Sequence, residues 1–383
     1  MNTKLKIVLM TYAFDNRQAK GTALYARKLT EFLIKDDRFE FFLVHYEKND
    51  DPIYTMATEI IMPTVNFSFA NHFLRQMLFF WQYRKNKFDI IHWFQPRLYP
   101  FFWFSPAKKI VVTAHGAADI TSLTTKTTFV FSREVFNFLM VYFNRFISAI
   151  IAVSNFGRDE VIKYYKSNPN NVYSIYNGGS EDFKVLDKAE SQKLIEKKYK
   201  IKAPFLLDIS RLEPHKNVIS LIFAYIELRK KYNNVKHKLV IVGNRAFGSE
   251  KIIAVAKESS YREDILFIDY VDVVDLNAIY SASDLFVFPS LNEGFGLPLI
   301  ESMASGTPVV TSNLTSLPEV GGDAVELIDP LDIKNMAEKI YQNLSNKEKL
   351  KKMSEKGVLR AKEFTWAKTS KETSELYVKL LNS

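Results

Sequence analysis

The segment from Asp284 to Val310 constrains the fold more than any other part of the chain. Its first six residues, Asp-Leu-Phe-Val-Phe-Pro, form an apolar run that is typical of a buried strand in a parallel sheet. Gly294 and Gly296 then open a loop, and Pro298 stands where the first turn of a helix is expected. Such a unit directs backbone N–H groups and the positive end of a helix dipole beyond the strand. We therefore predict an anion-binding site there.

Two carboxylates flank this loop. Glu293 stands at its mouth, and Glu301 lies one turn into the predicted helix. A carboxylate repels phosphate but accepts hydrogen bonds from hydroxyl groups. An anion site beside two hydroxyl acceptors matches what a nucleotide-sugar requires, and this is our interpretation of the segment. The alternative is a structural loop whose two glutamates are only solvated.

A second polar loop follows a predicted strand at 205–210. It reads Ile-Ser-Arg-Leu-Glu-Pro-His-Lys-Asn from residue 209, with Arg211 and Lys216 five positions apart. On a loop, these two side chains can converge on one pyrophosphate, the arginine by a two-pronged contact and the lysine as a point charge. A basic pair on a surface loop is more often only solvated. Its position after a strand that faces the same site favours the binding role.

Strand-like and helix-like segments alternate over both halves of the chain, which favours mostly parallel sheets with helices on both faces. We expect an α/β protein with two Rossmann-like, doubly wound domains, residues 1–180 and 181–365, joined near Asn177–Ser180. A C-terminal helix at about 366–383 is expected to pack back on the first domain. Ligands should bind at the carboxyl ends of strands that face a central cleft.

The predicted strands are 5–11, 40–44, 59–62, 89–93, 109–114, 149–153, 205–210, 238–242, 265–268, 285–288 and 308–311. The predicted helices are 22–34, 70–85, 133–146, 218–231, 275–282 and 298–304, followed by a helical region 332–381 that is interrupted at 364–366.

The residue types that are missing exclude several kinds of site. The chain has no cysteine, which excludes disulfides, thiolate nucleophiles and Cys-ligated metals. It has no Asp-x-Asp, and its six histidines lack metal-ligand spacing. We therefore expect no metal ion and no cofactor, with Arg211, Lys216 and the helix beginning near Pro298 supplying the positive charge. No run approaches the roughly 18 apolar residues of a membrane span, and no signal peptide is visible.

The positive charge lies in the first half of the chain. Residues 1–180 hold 22 lysines and arginines against 14 acidic residues, whereas residues 181–383 hold 30 against 29. There are also 15 aromatic residues between Phe67 and Phe104, several of them beside cations. Although most of these aromatics must form core, the combination favours peripheral contact with an anionic membrane. No nucleic-acid motif accompanies them, so we expect no nucleic-acid partner.

The loop Pro-Ser-Leu-Asn-Glu-Gly-Phe-Gly-Leu-Pro-Leu-Ile-Glu, with Glu293-x7-Glu301, resembles the donor-binding signature of the retaining glycosyltransferases of family 4. The resemblance covers nearly all of the second half and, more loosely, the first. It implies the GT-B fold and a metal-independent hexosyltransferase that uses a nucleoside diphosphate sugar. It implies a catalytic set of Glu293, Lys216, Arg211 and His115, and a donor-binding set of Gly21, Arg211, Lys216, Glu293, Gly294, Phe295, Gly296, Leu297 and Glu301.

The resemblance also assigns roles within these sets. Arg211 and Lys216 hold the pyrophosphate, Glu301 binds the ribose, and Glu293 binds the sugar and stabilises an oxocarbenium-like transition state. The leaving phosphate oxygen takes the proton of the acceptor on the same face of the sugar. His115 ends a predicted strand, where it binds a sugar hydroxyl or assists proton movement, or is instead packed against a backbone carbonyl. Gly21 matches the glycine of the first loop.

We therefore expect an enzyme at the cytoplasmic face of a membrane that transfers a hexose from a UDP- or GDP-sugar to a glycan or lipid-linked acceptor during cell-surface polysaccharide, lipopolysaccharide or glycolipid assembly. A second possibility is a soluble transferase of the same fold that makes a small glycoside or storage polysaccharide. A third is a non-catalytic basic protein that binds membrane or nucleic acid. A nucleotide-sugar epimerase of the same fold is a fourth. The donor base, the sugar and the acceptor are left open.

Overall fold

The computed structural model describes residues 4–15, 21–64, 71–85, 88–95, 104–116, 141–142, 144–246 and 248–383. These residues divide into two units. Unit 1 comprises Met1–Gly178 together with Trp366–Ser383, and unit 2 comprises Gly179–Thr365. The sequence analysis placed the domain boundary between residues 180 and 181 and the start of the C-terminal helix at about residue 366. In the structure, this helix lies in unit 1.

The described residues of each unit form one all-parallel sheet. Within those residues, unit 1 has seven strands in the order β3-β2-β1-β4-β5-β6-β7, and unit 2 has six strands in the order β10-β9-β8-β11-β12-β13. The strands are β1 (Leu5–Met10), β2 (Phe39–His45), β3 (Thr58–Ile61), β4 (Phe88–Trp93), β5 (Ala107–Ala114), β6 (Ala149–Ala152), β7 (Val172–Ser174), β8 (Phe205–Ile209), β9 (Lys238–Val242), β10 (Ile265–Ile268), β11 (Leu285–Phe288), β12 (Val309–Ser312) and β13 (Glu326–Ile328).

Helices connect the strands as the alternating pattern predicts. In the part of the chain that the structure describes, the α-helices with defined ends are α1 (Thr22–Leu33), α2 (Asn71–Tyr83), α3 (Asn155–Tyr165), α4 (Lys188–Tyr199), α5 (Val218–Lys231), α6 (Ser249–Glu258), α7 (Leu276–Ala282), α8 (Leu297–Ala304), α9 (Leu317–Gly321), α10 (Ile333–Leu344), α11 (Lys347–Ala361) and α12 (Trp366–Asn382).

The order of the strands places a topological switch point in each sheet. In unit 2, β8 is hydrogen-bonded to β9 on one side and to β11 on the other, with Leu285 opposite Leu206. The connections therefore leave β8 and β11 in opposite directions, and a crevice opens at their carboxyl ends. β11 has no exposed residue, because helices cover both faces of a parallel sheet. The loops that follow β8 and β11 are thus held at one edge.

The predicted strands and the observed strands agree closely except at the edges of the sheets. The sequence-based assignment missed β7 and β13, each of which has three residues. Such short edge strands carry too few apolar positions to form a recognisable run. The helix predicted at 133–146 lies mostly outside the described residues, and its end, Asn144–Phe146, is a 3-10 helix.

The C-terminal helix α12 belongs to the core of unit 1. Its Tyr377 is fully buried, and the hydroxyl lies 2.6 Å from Nδ1 of His92 on β4. Nε2 of His92 lies 2.8 Å from the hydroxyl of Thr113 on β5. Burial lowers the pKa of His92 to about 3, so the ring is neutral near pH 7. Each of its two nitrogens has a hydrogen-bond partner. The last helix of the chain is therefore joined to the centre of the first sheet.

Replacement of Tyr377 by Phe should destabilise the protein by about 1 to 3 kcal/mol, because it leaves Nδ1 of buried His92 without its hydrogen bond. Urea unfolding followed by circular dichroism measures the change. Tyr164→Phe, which removes a hydroxyl from a side chain that is 37% exposed, is the matched control. Equal stabilities of the two variants would show that the bond contributes nothing.

Candidate functional site

The loop after β8 is fixed by its own backbone. It contains a short 3-10 helix, Pro214–Lys216, and ends at Asn217 with a positive φ of 59°. The side-chain amide of Asn217 donates to the carbonyl oxygens of Pro289, at 3.2 Å, and Pro330, at 2.8 Å. Because Pro289 directly follows β11, this amide joins the loop to the end of the neighbouring strand.

Gly243, which directly follows β9, allows the start of the loop after β8 to pack close to the backbone. Gly243 has a φ of 156°, and a Cβ built on it would lie 1.9 Å from the carbonyl oxygen of Ser210. No side chain can occupy that space, so the residue must be glycine. The start of the β8 loop is therefore packed directly against backbone.

The loop after β11 is hydrogen-bonded to the loop after β8. The backbone N–H of Leu291 donates to the carbonyl oxygen of His215 at 2.8 Å, and the hydroxyl of Ser290 donates to the same oxygen at 3.1 Å. Burial, and secondarily the charge of Lys216, lowers the pKa of His215. The two loops that the sequence singled out separately thus form one structural element.

Lys216 and Glu293 form an ion pair across these loops. Nζ of Lys216 lies 2.6 Å from Oε1 of Glu293, and their side chains are only 18% and 11% exposed. Thr315 and Ser316 hold the backbone of Glu293, since its N–H donates to the Thr315 hydroxyl and its carbonyl accepts from the Ser316 hydroxyl. A partly buried pair is screened less than a surface pair, so each partner fixes the other's position.

Arg211 has a different environment. Its Nη1 lies 2.9 Å from Oε1 of Glu213, and its side chain is 58% exposed. The structure thus brings Lys216, but not Arg211, into contact with Glu293. Arg211 and its partner Glu213 both lie on the loop after β8, and the exposed side chain of Arg211 is accessible to a ligand.

The N-terminus of α8 has the backbone that the sequence predicts. Gly296 is the N-cap, with a φ of 93°, and a Cβ there would lie 2.7 Å from Leu317. Pro298 stands in the first turn. Phe295 is buried against Phe364, with the ring centroids 5.7 Å apart, and it anchors the loop that also contains Gly294 and Leu297. The positive end of the helix dipole lies at this loop.

Glu301 is bonded to a tyrosine that the sequence analysis missed. The hydroxyl of Tyr280, on α7, donates to Oε2 of Glu301 at 2.8 Å. Burial raises the pKa of Glu301 to about 7, while the Tyr280 hydrogen bond opposes that shift. No spacing in the sequence signals this contact, because the partners lie on separate helices. Asp208, which was also missed, was detectable as a carboxylate inside the apolar strand β8.

His115 and Gly21 lie in unit 1. Nε2 of His115 is 2.8 Å from the carbonyl oxygen of Phe94, which can only accept, so Nε2 carries the proton and Nδ1 presents a lone pair. Burial lowers the pKa of His115 to about 4, and its ring packs edge-on to Tyr25. Gly21 is the N-cap of α1, with a φ of 69°. Gly21 is expected to bind the donor, and residues 16–20, which precede it in the first loop, are outside the described ranges.

The aromatic-rich region is partly core and partly exposed. Phe79, Phe80 and Trp93 are buried, whereas Trp81 on α2 is 57% exposed and Phe104 is 44% exposed. Within this region, residues 67–70, 86–87 and 96–103 are not described. Among the helices that the structure describes, none combines the length and the apolar composition of a membrane span.

Two protein-family models match the chain. The model described as Glycosyl transferases group 1 matches residues 190–360, and the model described as Glycosyltransferase Family 4 matches residues 19–182. Together the two matches cover most of the chain, one in each unit. Both loops of the candidate site lie within the first of these matches.

Similar proteins include bacterial mannosyltransferases. O-antigen chain mannosyltransferase B of Escherichia coli is 32% identical over 228 residues, which are 60% of this chain and 60% of that protein. Serotype-specific mannosyltransferase WbdA of Escherichia coli is 32% identical over 258 residues, which are 64% of this chain and 31% of that protein. The matched regions therefore span less than two thirds of these relatives.

Solved structures share the fold over the whole chain. Sucrose-phosphate synthase from Thermosynechococcus elongatus has a TM-score of 0.77 at 18% identity, covering 99% of this chain and 100% of that one. HepE from Anabaena, in complex with UDP and glucose, has a TM-score of 0.75 at 17% identity, covering 98% and 100%. Such low identities show the fold alone, and that fold is GT-B.

The pKa of Glu301 predicts how stability depends on pH. Because folding raises this pKa from 4.5 to about 7, Glu301's contribution is complete below pH 4.5 and is lost as the pH rises through 7. Between pH 5 and pH 8 we expect the wild-type protein to lose about 2 kcal/mol more unfolding free energy than Glu301→Gln, which cannot ionise. Urea unfolding at both pH values measures the difference.

The exposed Glu258, at the end of α6, provides the control. Glu258→Gln should lose as much stability with rising pH as the wild-type protein does. If Glu301→Gln shows that same loss, Glu301 is not the group responsible.

Proposed function

The chain belongs to the glycosyl transferases of group 1, and from this premise we propose that it transfers a hexose from a nucleoside diphosphate sugar to an acceptor hydroxyl with retention of the anomeric configuration. The observation that carries this proposal is the ion pair of Lys216 with Glu293. It unites a cation suited to a diphosphate and a carboxylate suited to sugar hydroxyls at the β8–β11 switch point, beside a helix N-terminus.

We assign the diphosphate to Lys216, Arg211 and the backbone of the 294–297 loop. Lys216 is fixed beside that loop through Glu293, and Arg211 is exposed on the same loop as Lys216. These groups stabilise the negative charge that develops on the departing nucleoside diphosphate. Since the side chains and the helix dipole supply positive charge, the proposed site uses no metal ion and no cofactor.

We assign the ribose to Glu301 and the donor sugar to Glu293. Glu301 already accepts a hydrogen bond from Tyr280, and its carboxylate has acceptor capacity left for ribose hydroxyls. Glu293 exchanges part of its contact with Lys216 for sugar hydroxyls and stabilises the oxocarbenium-like transition state. The leaving phosphate oxygen takes the acceptor's proton, so that the new bond forms on the face from which the old bond departs.

We assign to His115 a hydrogen bond from a hydroxyl group of the sugar substrate. Its lone pair at Nδ1 suits this role, because Nε2 donates to the backbone and the ring is neutral near pH 7. Gly21 is assigned to the loop that contacts the donor, on the basis of its place after β1 and before α1.

Relatives favour a cell-surface glycan as the product. O-antigen chain mannosyltransferases of Escherichia coli and Salmonella typhimurium are among them, and WaaG, a glycosyltransferase involved in lipopolysaccharide biosynthesis, shares the fold with a TM-score of 0.69. We therefore propose a glycan or lipid-linked acceptor in polysaccharide, lipopolysaccharide or glycolipid assembly, reached from the cytoplasmic face of a membrane. The names of the mannosyltransferases favour mannose as the sugar, so GDP-mannose is the first donor to test, and the complex of HepE with UDP-glucose makes that nucleotide-sugar the second candidate.

The surface of α2 supports the proposed membrane contact. Leu78 is 40% exposed and Trp81 is 57% exposed, and the Arg84 guanidinium lies 4.3 Å from the Trp81 ring centroid. Apolar side chains beside an arginine suit the boundary between lipid headgroups and acyl chains. The positive charge of the first half of the chain adds long-range attraction to anionic lipids.

Donor binding and turnover test the proposed function. Thermal unfolding with GDP-mannose or UDP-glucose identifies the donor, because a ligand that binds the folded state raises its midpoint. With that donor, we expect Lys216→Ala to lower turnover about a hundredfold, measured as release of nucleoside diphosphate. The exposed Lys230 supplies the control, and Lys230→Ala should retain wild-type turnover.

Two outcomes would overturn this assignment. If no nucleotide-sugar raises the midpoint of thermal unfolding, the result would favour a non-catalytic basic protein. Full turnover in Lys216→Ala would remove the pyrophosphate role of that residue.

Membrane contact is tested by co-sedimentation with vesicles that contain anionic phospholipid. The wild-type protein should bind at low salt and dissociate at high salt, because salt screens the attraction. Trp81→Ala should bind several-fold more weakly, whereas Val274→Ala, at an 84% exposed position in unit 2, should bind like the wild type. If the wild-type protein ignores these vesicles, the peripheral contact is wrong.

A further inference from the structure

Strand β8 carries a carboxylate inside an apolar strand. Asp208 has no exposed surface, and its neighbours in β8 are phenylalanine, leucine and isoleucine. Removing an ionised carboxylate from water is costly unless the charge is paired or neutralised by a proton. The hydrogen bonds of Asp208 therefore indicate whether the site favours the carboxylate or the protonated carboxyl group.

Only one oxygen of Asp208 is hydrogen-bonded among the described residues. Oδ2 lies 2.6 Å from the hydroxyl of Ser210, which can donate to a carboxylate or accept from a carboxylic acid. Oδ1 is buried and has no partner there. An unpaired oxygen costs less on a neutral carboxyl group than on a carboxylate, so this environment suits the protonated form better.

The charged groups that face Asp208 belong to the candidate site. Lys216, from the β8 loop, lowers the pKa of Asp208, and Glu293, from the β11 loop, raises it. Burial is the largest influence and brings that pKa to about 7, against the Ser210 hydrogen bond. The other titratable groups nearby are Tyr280 on α7, whose pKa Asp208 helps to raise, Glu301 on α8 and His215 beside Lys216.

A bound diphosphate changes the balance of charge around Asp208. In the free protein, Lys216 supplies the positive charge of the group that it forms with Asp208 and Glu293. A diphosphate beside Lys216 adds negative charge. It also interacts with the lysine, which reduces the stabilisation that Lys216 gives to an ionised Asp208. An ionised Asp208 then faces two anions across a medium of low dielectric constant, which disfavours its charge.

We propose that Asp208 is a positioning residue that takes up one proton from solvent when the nucleotide-sugar binds, so that the ion pair beneath the diphosphate carries no surplus negative charge. The proton joins the carboxylate oxygen next to Ser210, and the resulting O–H donates to the Ser210 hydroxyl. This inference rests on the proposed function, because it requires a diphosphate at Lys216. Donor affinity should consequently fall as the pH rises above 7.

Calorimetric titration measures the protons directly. Donor is added at pH 7.5 in two buffers with different ionisation enthalpies, and the difference in observed heat gives the number of protons exchanged. The diphosphate of a nucleotide-sugar is a diester without a group that titrates near pH 7. We expect the wild-type protein to take up about half a proton or more beyond Asp208→Asn. The comparison is repeated in a Glu301→Gln background, because Glu301 also has a pKa of about 7. Glu301→Gln should still take up more protons than Glu301→Gln/Asp208→Asn.

Ser210→Ala provides a second variant that keeps the carboxyl group. Loss of the hydroxyl raises the pKa of Asp208 in the empty site, so proton uptake should become smaller at pH 7.5 and larger at pH 8.5. A purely structural role for Asp208 would not move the pH of maximal uptake. This variant decides the matter if Asp208→Asn does not fold.

The outcomes separate the two proposals. If GDP-mannose and UDP-glucose bind and proton uptake is the same in wild type, Asp208→Asn and Ser210→Ala, the role of Asp208 is wrong and the proposed function stands. If neither nucleotide-sugar binds the wild-type protein, the proposed function fails, and the role of Asp208 fails with it.

Discussion

The pairing of β8 with β11 is the constraint on which the candidate site depends. These strands are distant in the sequence, yet hydrogen bonds hold them side by side, with Phe286 opposite Leu207. Their carboxyl ends therefore reach the same edge of the sheet, and the loops that follow are forced into contact. The amide of Asn217 and the carbonyl oxygen of His215 then fasten one loop to the other. Without this pairing, Lys216 and Glu293 would not meet.

Contact between the loops has an electrostatic consequence. It partly buries a lysine and a glutamate at 2.6 Å, and both of their charges act on the fully buried Asp208. Charges in such a place must be balanced, and the balance changes when an anion arrives. On our proposal, the site therefore responds to a bound diphosphate through the protonation of Asp208. Glu301, whose pKa burial also raises to about 7, extends this sensitivity to the adjacent helix.

Much of this arrangement was predictable because local rules dictate it. Apolar runs defined β9, β10 and β11 with the bounds that the structure shows, and Gly296 with Pro298 marked the start of α8. The short edge strands lacked a signal. Contacts between distant elements were also invisible, because the Tyr280–Glu301 bond and the bond from Asn217 to Pro289 depend on tertiary packing. Two local pairs, Arg211 with Glu213 and Asp208 with Ser210, were also missed, because side-chain rotamers decide which neighbours meet on a loop.

A structure of the protein with bound nucleoside diphosphate sugar is the most direct test of the account. The measurement is the distance from Nζ of Lys216 to the nearest diphosphate oxygen. We predict roughly 3 Å, with the diphosphate also facing the loop 294–297 at the start of α8. A diphosphate bound away from both Lys216 and that loop, with the Lys216–Glu293 pair unchanged at 2.6 Å, would contradict it.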